Sequence, residues 1–268
     1  MVKLLVCEKV CIGVDTKIDY AVIASAFCAC YASKDEPIDI HVGTVNAGYL
    51  ITVYADGKTY VEQVEKSEFL FKLCIAVEDV VVSKLCANTF SYAVMHAGCV
   101  RVGKSNIMIS GRKSSGKSTL ITYISQKDDC DYLCDDVTVL QIDKCYSAQL
   151  PIRVRDIYVD GLCICNNKNV TYDGIGSRYL YPPVEHPRCV CHNLTHILFP
   201  EYNPYVSPVM YRINAVNAFK HLVRNSKGWS SPAELYHITQ LYTSNIHSYI
   251  MVHNGVESAF EMISEVIS

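Results

Sequence analysis

The sequence predicts an α/β fold, and two observations carry that prediction. Residues 107–109 form an apolar run, residues 120–124 are apolar at helical spacing, and residues 137–140 return to a strand-like pattern. An alternation of strand, helix and strand is typical of α/β proteins. Half of the 268 residues are hydrophobic, which is ample for a sizeable core. We therefore expect a folded chain with an α/β centre near residue 110.

The segments on either side of this centre predict further elements. Residues 38–64 alternate between apolar and polar side chains around Asp56-Gly57, which indicates strands joined by a hairpin. Residues 68–95 are expected to be mainly helical because their apolar side chains lie three and four positions apart. The same spacing predicts helices over residues 214–224 and 232–243.

No internal repeat, low-complexity tract or linker rich in proline, glycine and serine divides the chain. We therefore predict one domain over residues 1–268. In this interpretation residues 1–80 add β-rich N-terminal strands to the same core, and residues 81–268 form the core and its C-terminal helices.

Composition and charge argue against several classes of partner. The net charge of −3 comes with no cluster of Lys and Arg, so we expect no nucleic-acid partner. Glu8 and Lys9 interrupt the N-terminal apolar run too early for a signal peptide. The longest weakly polar stretch, residues 20–33, is shorter than the roughly 20 residues that cross a bilayer. We expect a cytoplasmic protein without a membrane partner; the sequence leaves open whether it forms a homo-oligomer.

Most of the fourteen cysteines are scattered through apolar segments, where a reduced cysteine behaves as a small core residue. The exception is the group Cys189, Cys191 and His192, with His196 beyond it. The C-x-C spacing is tighter than in most structural zinc sites, and no second cysteine pair follows at the expected distance. Alternation along a strand would also place both cysteines on one face without a metal. A metal site here stays an open alternative to plain strand residues.

Residues 111–118, GRKSSGKS, match the phosphate-binding pattern G-x-x-x-x-G-K-[ST] between an expected strand and an expected helix. The glycines would let backbone N–H groups point at phosphates, and the helix would present its positive end. Lys117 would neutralise the β- and γ-phosphates, and the Ser118 hydroxyl would bind Mg²⁺. The expected cofactors are ATP and Mg²⁺, with other phosphate donors open. The nucleotide-binding residues would be Gly111, Ser114, Ser115, Gly116, Lys117, Ser118 and Thr119.

Two adjacent carboxylates, Asp135 and Asp136, follow Ser118 by 17 and 18 residues, where a strand is expected to end. Neighbouring strand residues point to opposite sides. One carboxylate could therefore serve Mg²⁺ or its water shell while the other takes a proton from an acceptor hydroxyl. The alternative is an ordinary acidic turn such as residues 128–129. Adjacency does not fix which aspartate takes which role.

Three segments resemble the catalytic core of the HPr kinase/phosphorylase family, and particularly its small relatives: His96-Ala-Gly-Cys-Val, residues 109–120 and residues 134–140. The resemblance covers residues 80–155 well and the flanks loosely. It implies a P-loop fold related to phosphoenolpyruvate carboxykinase. It also implies that Asp136 is the acceptor-side base and that Asp135 supports the metal. His96 would lie near the transferring phosphoryl group, orienting an aspartate or balancing charge; from the sequence pattern alone, a structural histidine is the alternative.

The chain also departs from that family. Full-length members carry an E-[LIV]-R-G-x-G segment downstream, and residues 173–179 contain no Glu before an Arg-Gly pair. This argues against phosphorolysis and against HPr as the substrate. The N-terminal 80 residues do not resemble the regulatory domain of full-length members. Small relatives accompany peptide-modification systems, lasso-peptide kinases among them, so the resemblance implies phosphorylation of a serine on a precursor peptide.

Arginines downstream of the aspartate pair are candidate phosphate contacts. Arg153 and Arg155 lie on one side of an expected strand, where their planar groups could bind a γ-phosphate or a phosphorylated product. A solvated strand face is the alternative, and Arg178 could reach the phosphates instead.

The expected function is transfer of phosphate from ATP to a hydroxyl, with serine of a protein or peptide as the preferred acceptor. The alternatives are a kinase for a small molecule and a nucleotide-gated binding module without phosphotransfer. Tyrosines grouped around prolines form either a peptide-binding surface or half-buried core: Tyr202, Tyr205 and Tyr211.

Overall fold

A computed structural model represents the chain. It describes residues 1–55, 57–87, 90–112, 114–141, 144–154, 158–159, 162–163, 171–172, 179–181, 184 and 187–267. The α-helices in these ranges are α1 (Tyr20–Phe27), α2 (Phe69–Cys86), α3 (Lys117–Ile124), α4 (Ala215–Arg224), α5 (Pro232–Asn245) and α6 (Val256–Ile267). None of these helices is long and apolar enough to cross a membrane.

The strands occur in runs between the helices along the chain. The first twelve are β1 (Val2–Val6), β2 (Val10–Val14), β3 (Cys30–Tyr31), β4 (Ile40–Val45), β5 (Gly48–Ala55), β6 (Lys58–Glu65), β7 (Ala93–Met95), β8 (Ala97–Val102), β9 (Ser105–Ser110), β10 (Cys130–Cys134), β11 (Thr138–Leu140) and β12 (Cys145–Ala148). The others are β13 (Ile152–Val154), β14 (Tyr158–Val159), β15 (Leu162–Cys163), β16 (Thr171–Tyr172), β17 (Tyr179–Tyr181), β18 (Cys189–His192), β19 (His196–Tyr202), β20 (Val209–Ile213), β21 (Ser226–Trp229) and β22 (His247–His253).

The chain forms two compact units. The first comprises Met1–Asn88, Ala148–Ile157 and Asn167–Cys189. Its main sheet has the strand order β3-β1-β2-β4-β5-β6, and α2 contributes apolar residues to its core. The predicted hairpin is confirmed: β5 pairs antiparallel with β6, and Gly57 has the left-handed φ of 71° that such a turn needs. The N-terminal strands were expected on the same core but form a separate sheet. The prediction of one kinase domain stays a prediction.

The second unit comprises Thr89–Ser147, Tyr158–Asn166 and Val190–Ser268. Its larger sheet has the order β10-β8-β9-β19-β22-β20, with β9, β19 and β22 parallel and their neighbours antiparallel. Ile107, Met108 and Ile109 of β9 are all buried, which explains why this central strand is a continuous apolar run. A second sheet has the order β18-β12-β11-β7-β21.

The predicted C-terminal helices are confirmed, and their first residues show why they form. The Asn214 side chain caps α4 by accepting a hydrogen bond from the Asn217 N–H group. Ser231 caps α5 in the same way through Glu234 N–H, and Pro232 occupies the first helical position. The helix predicted over residues 68–95 is longer than α2, the helix that the structure contains.

The helix α2 ends at Cys86, and the last residues of the predicted helix form β7 instead. Ala93, Val94 and Met95 are all buried and pair with β11 on one side and β21 on the other. A short, fully buried strand shows no period that separates it from a buried helix segment. The apolar spacing therefore predicted the wrong element for these three residues.

Candidate functional site

The phosphate-binding pattern occupies the connection from β9 to α3. Gly116 has φ of 87° and Ser114 has φ of 69°, both in the left-handed region. A Cβ atom on Gly111 would lie 2.7 Å from Ser115 Oγ, closer than side chains tolerate. The curled backbone therefore favours glycine at position 116, whereas at Gly111 a Cβ atom would require the Ser115 side chain to move. Such loops can direct several N–H groups at one anion.

The first turn of α3 adds helix-terminal N–H groups to this loop. The N-cap residue Gly116 has no side chain that could accept a hydrogen bond from these N–H groups. In the described structure they are therefore available to solvent or to a ligand. Ser118 and Thr119 lie in this turn. The sequence prediction placed both in the nucleotide site, and their roles stay predictions.

Lys117 is buried and folds back over the loop. Its Nζ donates hydrogen bonds to the carbonyl oxygens of Gly111, at 2.8 Å, and Arg112, at 3.1 Å. Burial lowers the pKa of Lys117, whereas the carboxylates of Asp135 and Asp136 act to raise it. A partly desolvated ammonium beside two carboxylates is suited to exchange its backbone contacts for a strongly charged anion.

Asp135 and Asp136 directly follow β10 and lie in a tight turn. The Val137 N–H group donates to the Asp135 carbonyl at 2.8 Å, and Asp136 between them has φ of 67°. This is the geometry of a γ-turn with positive φ, a rare and strained conformation that concentrates at functional sites. The turn, and not strand alternation as the sequence suggested, sets the direction of each side chain. Asp135 is 7% exposed, so its carboxylate is largely shielded from water.

His96 lies between β7 and β8 and contacts Asp136. Its Nδ1 is 3.1 Å from Asp136 Oδ1 and 3.3 Å from the Asp136 carbonyl oxygen. Burial lowers the pKa of His96 although the Asp136 carboxylate acts to raise it. A neutral imidazole that donates from Nδ1 would orient this carboxylate. The contact suits the predicted orienting role of His96, which stays a prediction.

Gly98 explains why the family-like segment around His96 needs a glycine. A Cβ atom at this position would lie 2.9 Å from the Cys134 carbonyl oxygen and 3.2 Å from Asp135 Cα, and would collide with the Ile121 side chain. The strand β8 therefore approaches both the aspartate turn and α3 at this point. The sequence interpretation quoted this glycine but gave it no role.

Lys227 is a second cation that the sequence interpretation missed. It lies on β21, between Ser226 and Gly228, where the register with β7 shifts. Such irregularities re-aim side chains and are common beside active sites. The charge of Lys227 acts to lower the pKa of His96 and of Lys117, which places it within electrostatic reach of both. A single lysine in no recognisable pattern offers no sequence signal.

His253, at the end of β22, is the other missed residue. Its ring is 2% exposed, and a Cβ atom on Gly116 would lie 3.6 Å from its Nε2. The Gly255 carbonyl is 3.0 Å from Nδ1, and burial lowers the pKa, so the ring is neutral. The Ser115 backbone acts to raise that pKa, but no described group gives Nε2 a hydrogen bond of good geometry.

Two hydroxyl groups near the loop are also buried without a hydrogen-bond partner, as His253 Nε2 is, among the described residues. Within the described part of the chain, Ser110 Oγ and Ser115 Oγ are buried and lack a hydrogen-bond partner. Buried polar atoms nearly always have one, from protein, water or a ligand. The parallel strands β9, β19 and β22 end at this edge, which is where open α/β sheets bind ligands.

The remaining predicted phosphate contacts are Arg153, Arg155 and Arg178. Arg153 belongs to the first unit, where its Nη2 lies 2.7 Å from Glu78 Oε1 and its guanidinium lies over the Phe71 ring. Arg155 and Arg178 lie outside the described residues. A phosphate role for these arginines therefore stays a prediction.

Within the described residues, Cys191 and His192 of the cysteine-rich strand β18 differ in burial and do not form one set of metal ligands. Cys191 is exposed, whereas its neighbour His192 is buried and, by strand alternation, faces the opposite side. His196 accepts or donates a hydrogen bond with Thr195 at 2.9 Å. The expectation of cysteines buried in the core is met by Cys7, Cys11 and Cys74 but not by Cys30, which is exposed, or by Cys28 and Cys86, which are half-buried. The other buried cysteines in the described residues are Cys99, Cys134 and Cys145.

Comparison with known proteins adds little to this geometry. No protein-family model matches the chain, and no curated protein does. Among solved structures, it is similar to the Hpr(Ser) kinase/phosphatase from Coxiella burnetii at 12% identity, over 65% of this chain and 90% of that chain, with a TM-score of 0.29. A superposition this loose assigns no residue, so the chemistry must be argued from the side chains of this chain.

Proposed function

We propose that the protein is an ATP- and Mg²⁺-dependent kinase that transfers phosphate to a serine hydroxyl of a protein or peptide. One observation carries the proposal: Lys117 of the phosphate-binding pattern lies within electrostatic reach of Asp135 and of the histidine-contacted Asp136. Phosphoryl transfer needs a group that holds the phosphates and a group that positions the acceptor at the same place.

The β9–α3 loop would hold the phosphates of ATP. Backbone N–H groups of the loop and of the first helical turn supply neutral donors, and Lys117 supplies the charge. The Ser115 hydroxyl could donate to a bound phosphate, and a water bound to that phosphate could donate to His253 Nε2. These contacts fix the γ-phosphate relative to the aspartate turn.

The oxygen ligands suit Mg²⁺. The buried Asp135 carboxylate and the Ser118 hydroxyl in the first turn of α3 would hold it, with water and phosphate oxygens as its other ligands. When bound, the metal neutralises charge on the phosphate oxygens. Oxygen ligands that include a carboxylate favour a hard cation of this kind over a soft one.

Asp136 would act on the acceptor. The acceptor oxygen attacks the γ-phosphorus, the bond from phosphorus to the β–γ bridging oxygen breaks, and ADP leaves. The hydroxyl proton passes to the Asp136 carboxylate, which His96 orients through Nδ1. The strained turn at Asp136 keeps the carboxylate aimed before the acceptor arrives.

Exposed tyrosines favour a peptide or protein acceptor over a small molecule. Tyr202 ends β19, the strand that pairs with β9, and its ring lies 5.6 Å from that of His253. Tyr205 is 94% exposed, and Tyr211 on β20 is about half exposed. Rigid amphipathic rings of this kind are enriched where proteins bind other chains.

Label transfer from γ-labelled ATP tests the proposal. The purified protein is incubated with Mg²⁺ and a serine-containing peptide library, with the same library carrying Ala for Ser as the control. We expect label on the serine peptides, and none when Lys117→Ala or Asp136→Asn replaces the wild type. Label on small hydroxyl compounds alone would point to a small-molecule kinase. Tight ATP binding with no transfer to any acceptor would point to a binding module and overturn the kinase assignment.

A further inference from the structure

Three metal-ligating side chains meet in the interior of the second unit. The sulfur atoms of Cys99 and Cys145 and a ring nitrogen of His192 all lie within 4.8 Å of one another. They come from β8, β12 and β18, which are far apart in the sequence. All three residues are buried. Ligands around one tetrahedral metal ion lie at separations of this order.

His192 points to a missing ligand. Its side chain is 7% exposed, and neither ring nitrogen has a hydrogen-bond partner in the described part of the chain. An unpartnered imidazole is costly to bury, because both nitrogens give up water. Burial lowers the pKa of His192 to about 4, so the ring is neutral at physiological pH. Neutral imidazole is the form that binds metals.

We propose that Cys99, Cys145 and His192 bind a zinc ion. Two sulfur ligands and one imidazole exclude Mg²⁺ and Ca²⁺, which take oxygen ligands, and favour Zn²⁺. Two thiolates and a neutral imidazole also cancel the charge of Zn²⁺, which suits an apolar interior. This inference is independent of the proposed kinase activity.

Cys134 lies beside this group but outside the set of atoms that lie within 4.8 Å of one another. It pairs with Cys99 across β10 and β8, and both sulfur atoms contact Thr138 Oγ1, at 3.2 Å from Cys134 and 3.5 Å from Cys99. Thr138 in turn donates to the Ala97 carbonyl at 3.1 Å.

The site would join the two sheets of the second unit. Cys99 belongs to the sheet that contains the phosphate-binding loop, whereas Cys145 and His192 belong to the smaller sheet. Cys99 follows His96 by three residues, and Cys134 immediately precedes Asp135. A metal at this point would therefore fix the strand ends that carry the candidate catalytic groups.

Binding would release protons. A cysteine binds a metal as the thiolate, so its thiol proton must leave. Coordination forms a metal–sulfur bond and transfers the thiol proton to solvent, at Cys99 and again at Cys145. Zinc affinity should therefore increase with pH.

Elemental analysis of the purified full chain tests the proposal. We expect about one zinc per chain in the wild type, and a loss of most of it in Cys145→Ser and His192→Ala. Cys191→Ser and His237→Ala are matched controls, because both residues are exposed and His192 and Cys191 share β18. The controls should keep their zinc. Loss of zinc in Cys191→Ser with retention in Cys145→Ser would overturn the proposal.

A second measurement uses the wild type alone, in case the ligand variants fail to fold. The metal is removed with a chelator, and Co²⁺ or Zn²⁺ is added back. We expect thiolate-to-cobalt charge-transfer absorption with the bands of tetrahedral cobalt, and a rise in Tm with Zn²⁺. A wild type that contains no metal, gives no such absorption and gains no thermal stability from either ion would refute the site.

Discussion

Gly98→Ala tests whether β8, α3 and the aspartate turn are as closely packed as the site requires. The added Cβ would lie 2.9 Å from the Cys134 carbonyl oxygen and 3.2 Å from Asp135 Cα. Ordinary contacts begin near 3.4 Å, so the backbone at the end of β10 must move by several tenths of an ångström. The Ile121 side chain, which the Cβ would also meet, must move as well.

We expect Gly98→Ala to lower both the stability of the protein and its rate of phosphoryl transfer. Overpacking of this kind destabilises proteins by about 1–3 kcal/mol, and each kcal/mol lowers Tm by about 2–4 °C at this chain length. Because the shift falls on Asp135, phosphoryl transfer should decrease further than the loss of folded protein explains. Misplacement of a catalytic group by about 1 Å can lower the rate about 100-fold. A shift of several tenths of an ångström should lower it about tenfold or more.

Thermal unfolding and single-turnover label transfer measure these two effects separately, below the Tm of the variant. Gly228→Ala is the matched control: this glycine also lies in a strand of the second unit, and a Cβ atom there would meet no atom within 4 Å. It should leave Tm and transfer unchanged. If Gly98→Ala were as stable and as active as Gly228→Ala, the close approach of β8 to the aspartate turn would be wrong.

Substitutions of charged and titratable residues give the other predictions. Asp136→Asn should lower kcat by about 10²–10⁴-fold, and a loose transition state would give a decrease at the low end of this range. Equilibrium binding should show that the affinity for ATP changes little. Asp135→Asn should instead raise the Mg²⁺ concentration that gives half-maximal transfer; an unchanged Mg²⁺ titration would contradict its metal role. Lys117→Ala should weaken ATP binding, because it removes the cation that would hold the phosphates; unchanged ATP affinity would contradict the phosphate site. In the metal-free protein, the pKa of His192 is about 4 in the folded chain and about 6.5 in the unfolded chain. Between these pH values the unfolded chain binds one more proton than the folded chain, so the free energy of unfolding should fall as pH decreases. Urea unfolding across that pH range should show that the free energy of unfolding falls by up to about 3 kcal/mol, and His192→Phe should not show this decrease.

The sequence predicted local features well where a local rule applies. The hairpin at Gly57 and the helices predicted over residues 214–224 and 232–243 depend on neighbouring residues, and the structure contains all three elements. The phosphate-binding pattern lies between β9 and α3 as expected. The end of α2 was predicted wrongly because β7 is decided by its partners β11 and β21, which lie elsewhere in the chain.

Long-range features of the site could not be predicted in the same way. Lys227 approaches Lys117 only because β21 pairs with β7, and His253 approaches Gly116 only because β22 lies in the same parallel sheet as β9. Neither residue belongs to a pattern in its own segment. The cluster of Cys99, Cys145 and His192 likewise joins three strands, and the local C-x-C spacing drew attention to cysteines outside it.

The charges of the site give a reason why the proposed nucleotide would bind together with a metal. Lys117 and Lys227 contribute two positive charges, and Asp135 and Asp136 contribute two negative charges, so the four groups nearly cancel. Metal-free ATP would bring several further negative charges close to two carboxylates, one of which is buried. In the proposed function a divalent cation held by Asp135 would reduce that repulsion, whereas Asp136, contacted by His96, would keep its charge for the acceptor proton. The turn at Asp136 would let two adjacent carboxylates serve these opposite needs, because it sets the direction of each side chain independently of strand alternation.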